Sequence, residues 1–187
     1  MTAGIITLII VAVVVIYIIS IYNTLVKLRV RRENAFADID VQLKQRHDLI
    51  PQLVNTVKGY MKHEEGVLTK VTEARSQAMR ATGIDDKIAA EKQLSSALTG
   101  LRIQLEAYPD LKANTNFMHL QQEIADIENK LAAVRRFFNS ATKELNTAIQ
   151  VFPNVIFASM FGFKNEPMFD LGEERAAAQK APDINFN

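Results

Sequence analysis

The chain predicts an all-α fold, an N-terminal transmembrane helix followed by a long antiparallel helical bundle, on three observations. Residues 4–22 read GIITLIIVAVVVIYIISIY without a charge. Apolar residues then recur every three or four positions to about residue 150, and no alternating run bounded by hairpin signals occurs. At 187 residues the chain holds one domain of ordinary size plus an appendage.

The appendage comes first. As a helix, residues 4–22 span roughly 28 Å, close to the thickness of a bilayer's hydrocarbon core. Thirteen of the nineteen are Ile, Val or Leu, worth about −4 to −8 kcal/mol on an insertion scale. A cleaved signal peptide fits less well, because nothing before Ile5 is charged and SIYNTLV follows instead of a small-residue cleavage site. Residues 1–22 are therefore read as a retained anchor whose partner is the lipid bilayer. Tyr17 and Tyr22 suit the headgroup boundary, and Lys27, Arg29, Arg31 and Arg32 follow directly. This flanking charge places the N-terminus outside and the rest of the chain in the cytoplasm; a domain on the opposite, periplasmic side is the alternative.

Residues 23–47 read as a membrane-proximal stalk helix. The bundle, residues 48–163, follows as three helices. The first carries Ile50, Leu53, Val54, Val57, Met61, Leu68, Val71, Ala74 and Ala78 inward and stops near Gly83, a C-cap, after which Asp85 or Asp86 caps the next. The second runs from about 86 to 107 on Ile88, Leu94, Leu98, Leu101 and Leu105, ending at Tyr108 and Pro109. The third shows the cleanest period: Phe117, Leu120, Ile124, Ile127, Leu131, Val134, Phe138, Ala141, Leu145 and Ala148 alternate steps of three and four, a coiled-coil-like seam. Residues 48–82 and 115–150 match at roughly 50 Å each, with about 33 Å between them in helix two, which predicts an up-down-up arrangement. Beyond Pro153 a Phe- and Met-rich stretch is a candidate short fourth helix over an open groove of the bundle. Residues 164–187 read as a loose tail.

Composition removes several function classes. Twenty-two basic against 21 acidic residues give a net charge of +1 and no global pull toward nucleic acid. The absence of Cys excludes disulfides, thiolate metal sites and cysteine lipidation. Residues 46–64, RHDLIPQLVNTVKGYMKHE, hold the most suggestive polar cluster. His47 and His63 are sixteen apart, about 160° around an unbroken helix, and His119 stands alone, so no His-x-x-x-His or Glu-x-x-His pair arises. No Gly-x-Ser-x-Gly and no phosphate loop occurs, and pairs such as Asp38 with Asp40 splay on a helix instead of converging. Neither a metal, a cofactor nor a small-molecule substrate is expected. Pro51 inside a helix would cost about 3 kcal/mol, which a new first turn capped by Asp48 avoids. The stretch thus reads as a bend or re-capped joint between stalk and bundle. On that reading Asp48→Ala costs about 0.5 to 2 kcal/mol.

YNTLVKLR at 22–29, DIDVQLKQRHDLIPQLV at 38–54, VKGYMKHE at 57–64, EAR at 73–75, EAYPDLKAN at 106–114, LQQEIADIEN at 120–129, RRFFN at 135–139 and FPNVIF at 152–157 resemble the LemA family. The resemblance covers nearly the whole chain. It implies a bacterial inner-membrane protein with one N-terminal membrane helix, a short outward N-terminus, a helical-bundle domain and no established enzymatic activity. The positions it singles out are Asp38, Asp40, Arg46, Asp48, Pro51, Lys58, Gly59, Tyr60, His63, Glu64, Arg75, Tyr108, Pro109, Asn114, Arg135, Asn139 and Pro153. Phe137 and Phe138 depart from it, standing where the family often has tyrosines.

Function is read from surplus apolar surface. Phe152, Val155, Ile156, Phe157, Met160, Phe161, Phe163, Met168 and Phe169 fall within eighteen residues, more than a three-helix groove needs. In an up-down-up bundle this segment begins at the end far from the membrane, so another protein surface is its expected partner. The chain is expected to act as a non-enzymatic scaffold that self-associates, in a ring or cage if heterologous contacts close. The alternative is an accessory subunit of another membrane protein, such as a quality-control metalloprotease, whose companions the resemblance suggests.

Overall fold

The computed structural model describes residues 2–61 and 64–170. Among them the chain forms no strand and the helices α1 (Thr2–Lys58), α2 (Glu65–Arg80), α3 (Ile84–Leu105), α4 (Pro109–Lys112), α5 (Thr115–Gln150) and α6 (Asn154–Met160). Packing divides the described residues into two compact units: those up to 39 with 134–168, and those of 40–133 with 169 and 170.

The expected span is the first third of α1. Residues 4–17 are almost wholly apolar and exposed on every face, a combination suited to lipid and not to water. Among the described residues α1 is the one helix long and apolar enough to cross a membrane. It continues without interruption at 22–23 or 47–48 for 57 residues, roughly 85 Å. Pro51 lies inside it, which corrects the re-capped joint: Asp48 is an exposed mid-helix residue and caps nothing. The reason is tertiary. Pro51 has no N–H for the His47 carbonyl, and Arg75 Nε, from α2, donates to that carbonyl at 2.7 Å.

Residues 48–82 are not one helix either. The chain leaves α1 at Gly59 and Tyr60, with the Tyr60 and Met61 amides both donating to the Val57 carbonyl at 3.0 Å. α2 then runs back along α1, so that Arg75 stands at His47. The apolar stripe hides this reversal because Val57, Met61, Leu68 and Val71 are buried in one core on both sides of the turn. The next turn passes Gly83 at φ +86°, a conformation that favours glycine; α2 ends at Arg80 with Ala81 as its C-cap, and Asp85 and Asp86 sit in the first turn of α3, where the helix dipole favours them. α3 runs parallel to α1, Lys87 meeting Asp40 and Glu91 meeting Arg46, while α5 runs against it, from Asn114 beside Tyr60 to Glu128 beside Arg46. Residues 40–133 therefore form an up-down-up-down bundle. Its additional helix is α2, not the segment after Pro153.

In the other unit α5 continues against α1: Thr142 meets Arg32, Glu144 meets Arg31, and Leu145 and Ile149 share a core with Ile21 and Leu25. The extra reversal changes where the aromatic segment ends up. It lies beside the C-terminal end of the apolar run, with Phe161 edge-on to Tyr22 at 5.0 Å, and not at the opposite end. α6 closes with Phe163 N donating to Ala158 O at 2.9 Å and Gly162 N to Ser159 O at 3.2 Å, a Schellman motif with Gly162 at φ +75°. The chain stays packed after 163, because Asn146 exchanges two hydrogen bonds with the Glu166 backbone at 2.8 and 2.9 Å. The stretch just after 164 is therefore not loose, and the rest of the expected tail, residues 171–187, lies outside the described residues.

Removing the Arg75 side chain leaves the His47 carbonyl without its donor. Arg75→Ala is expected to destabilise the detergent-solubilised protein by about 1 to 3 kcal/mol in chemical denaturation. The same change in a Pro51→Ala background, where a backbone amide is restored, costs less, and Asp48→Ala stays within about 0.5 kcal/mol.

Candidate functional site

Chemistry is concentrated at one place in each unit. In the four-helix unit the apolar stripe of α1 is interrupted between Leu43 and Ile50 by Arg46 and His47, both buried. The stripe of α3 is interrupted between Ile88 and Leu94 by Glu91, which is 1% exposed. The helical period therefore brings the three together. Arg46 Nη2 donates to Glu91 Oε2, Arg46 Nη1 donates to Ser95 Oγ at 3.3 Å and to Glu128 Oε1 at 2.9 Å, and His47 Nε2 lies 2.6 Å from Glu91 Oε1. Both oxygens of Glu91 are thus occupied by cationic or N–H partners. Arg46 Nε is buried with no partner among the described atoms. A groove of about 550 Å³ opens onto this cluster between α1, α3 and α5, lined by Arg46, Leu53, Leu98, Leu101, Ile124 and Glu128 among others.

Several family-motif residues instead close one end of the bundle. Tyr108 donates its hydroxyl to Glu64, and Asn114 Nδ2 donates to the Tyr60 hydroxyl at 3.1 Å. Asn114 Oδ1 accepts from the Phe117 amide at 3.1 Å, capping α5. These bonds tie Tyr60 and Glu64 to Tyr108 and Asn114, which stand on either side of α4. Lys58 ends α1, and His63 lies outside the described residues. The Glu64 carboxylate raises the Tyr108 phenol above its ordinary value of 10.0 by hydrogen bond first, then by partial desolvation and charge. Lys112, bonded to Glu106 at 2.5 Å, holds that carboxyl below its ordinary range.

In the other unit Arg32, expected beside the membrane, is 4% exposed. Its Nε donates to Thr142 Oγ1 at 3.2 Å and its Nη2 to the Pro167 carbonyl at 3.2 Å; Nη1 is 3.0 Å from Glu166, and the guanidinium covers Phe138 at 5.0 Å. Arg31 pairs with Glu144 at 2.7 Å and Arg29 covers Phe163 at 5.2 Å. Lys27 and Arg29 are exposed, as are Tyr17 and Tyr22. Arg135 is buried, and it and Asn139 are both engaged. Asp38 is exposed on α1, and Asp40 pairs with Lys87 at 2.6 Å. The aromatic segment divides. Phe157 and Phe163 pack on the Ile21–Leu25 core and Phe169 is buried, whereas Phe152, Val155, Ile156, Met160, Phe161 and Met168 are exposed.

Glu91, Ser95, Thr142 and Lys87 are not among the residues singled out from the sequence, and Arg32 is singled out there only as charge flanking the span. Glu91, Arg32 and Thr142 carry a legible signal, a polar side chain on the inward stripe of an otherwise apolar helix face. Glu128, in contrast, reaches Arg46 from a surface position 40% exposed.

The profile described as LemA family matches residues 35–186. Protein LemA of Metamycoplasma hominis is 28% identical over 145 residues, 75% of this chain and 65% of that protein. Magnetosome protein MamQ of Magnetospirillum gryphiswaldense is 21% identical over 174 residues, 79% of this chain and 64% of that protein. The chain thus spans a little under two thirds of the length of either relative.

Two measurements probe the site. Glu91→Gln leaves a buried guanidinium short of its carboxylate and is expected to cost about 3 to 5 kcal/mol, while Glu144→Ala, which breaks an ion pair whose side chains are about half exposed, changes stability by less than about 1 kcal/mol. Because the Tyr108 pKa is raised in the folded state, its contribution is present below about pH 10 and is lost as pH climbs through the folded value. Melting curves across that range should fall more gently for Tyr108→Phe than for the parent protein.

Proposed function

This chain belongs to the LemA family, and from that premise we propose that it is a membrane-anchored, non-catalytic helical scaffold that self-associates. The observation that carries the proposal is a shallow groove of about 470 Å³ between α1 and α5 in the anchored unit, lined by Val26, Val30, Ala35 and Phe137 and rimmed by Lys27, Arg31 and Asp38. Phe137 is 48% exposed, an aromatic ring open to solvent on a helix whose neighbouring Phe138 is fully buried.

A second copy of the chain is the occupant the groove favours. Its rim carries both signs of charge, so two copies can set Lys27 of one against Asp38 of the other. The span also holds copies in one plane with a common orientation, which raises their effective concentration. A contact between unlike patches repeats around a ring or cage if its rotation closes. The non-catalytic reading is supported by the buried Arg46 and Glu91 pair, whose opposite charges face one another. Lys27 and Arg29, exposed just past the span, support a cytoplasmic bundle at a bacterial inner membrane.

Mass photometry of full-length protein in mild detergent is expected to give a defined oligomer, which Phe137→Asp converts to monomers. Monomers alone from the parent protein would refute self-association. A stoichiometric foreign protein crosslinked in intact membranes would instead favour the accessory-subunit reading, with a membrane metalloprotease among the candidates.

A further inference from the structure

Residues 151–163 read VFPNVIFASMFGF, thirteen positions without a charge. The inner face of this segment is spoken for. Ala158 is fully buried and packs with Ile21, Leu25, Leu145 and Ile149, and Phe157 and Phe163 pack against the same cluster. The outer face is not: Phe152 is 80% exposed, Met160 73%, Ile156 51% and Val155 44%. Such a surface on a water-facing helix would be a liability.

Its level along α1 supplies the missing solvent. The segment packs on α1 from Ile21 and Tyr22, at the end of the apolar run 4–22, to Leu25 and, through Phe163, Arg29. If those nineteen residues fill the hydrocarbon core, as their length of roughly 28 Å requires, then Tyr22 marks the exit and α6 lies at the same depth. Phe161 and Phe163 stack edge-on to Tyr22 at 5.0 and 6.2 Å, and Arg29 covers Phe163 at 5.2 Å. Aromatic rings with a cation just above them are the pattern of a headgroup boundary. Lys27, Arg29 and Lys164, all exposed, set positive charge beside the apolar face, complementary to anionic lipid.

We propose that residues 151–161 form a second membrane contact, an interfacial foot that lies in the headgroup and acyl boundary beside the exit of α1 and buries Phe152, Ile156 and Met160 in lipid. The foot fixes the rotation of α1 about its own axis, which a single span does not do. It also sets the height of the first unit above the bilayer. The contact is distinct from the groove at Phe137, so that lipid covers one apolar surface and a second copy the other.

The proposal rests on α1 being inserted, and the test separates the two. The chain contains no Trp, so one substitution at a time gives a single reporter in the full-length protein. Phe152→Trp, Met160→Trp, Tyr17→Trp in the span and Ile103→Trp on the exposed face of α3 are reconstituted in vesicles of phosphatidylcholine and phosphatidylglycerol. The phosphatidylcholine is either ordinary or brominated on its acyl chains. Blue-shifted emission at 152 and 160 that falls severalfold with brominated lipid, as at 17, with no quenching at 103, is the expected result. Quenching at 17 but not at 152 and 160 overturns the foot alone. If emission there is blue-shifted yet unquenched, protein covers the face instead of lipid. Absence of quenching at 17 as well overturns insertion and the foot together.

Discussion

The structure turns on one hydrogen bond made to a carbonyl that the sequence leaves open. Pro51 cannot donate to His47, and a helix of this length would ordinarily bend or restart there. Arg75 Nε reaches across from α2 and takes the vacant acceptor at 2.7 Å. α1 therefore runs on to Lys58, and the chain reverses at Gly59 and Tyr60. The bond is also what α2 gains by folding back, so proline, arginine and reversal are one device.

Buried charge then specifies which faces meet. A stripe of Leu, Ile and Val can pack in more than one register, since a shift of one turn exchanges similar shapes. Arg46 and Glu91 cannot shift in this way, because each would leave an uncompensated charge inside the bundle at a cost of about 3 to 5 kcal/mol, and His47 would lose its hydrogen-bond partner Glu91. The net gain over an apolar core is small for such a cluster, but the penalty for misalignment is large. Arg32 does the same for α1 and α5 in the other unit, where a hydroxyl, a carbonyl, a carboxylate and the Phe138 ring surround it.

The count of reversals has a functional consequence. With three bundle helices the Phe- and Met-rich segment would end away from the anchor, and a protein surface would be its natural neighbour. With four it returns to Ile21 and Tyr22, and lipid becomes the nearer solvent. A single unmarked turn within residues 57–68 thus reverses the inferred partner of residues 151–163, although the long helices after it keep nearly the same bounds.

The sequence by itself determined what local periodicity and composition control: an uncharged run long enough to span a bilayer, the all-α class, and α5 over Thr115–Gln150, whose unbroken steps of three and four leave no other reading. The helical period also carries the inward positions of Arg46 and Glu91, which fall on the apolar stripes of α1 and α3. The tertiary structure alone decided whether Pro51 interrupts a helix and where the chain reverses. The first depends on Arg75, twenty-four residues further along the sequence. The second was hidden because Val57, Met61, Leu68 and Val71 face the same core from both sides of the turn, so burial preserved the helical period where the backbone had abandoned it.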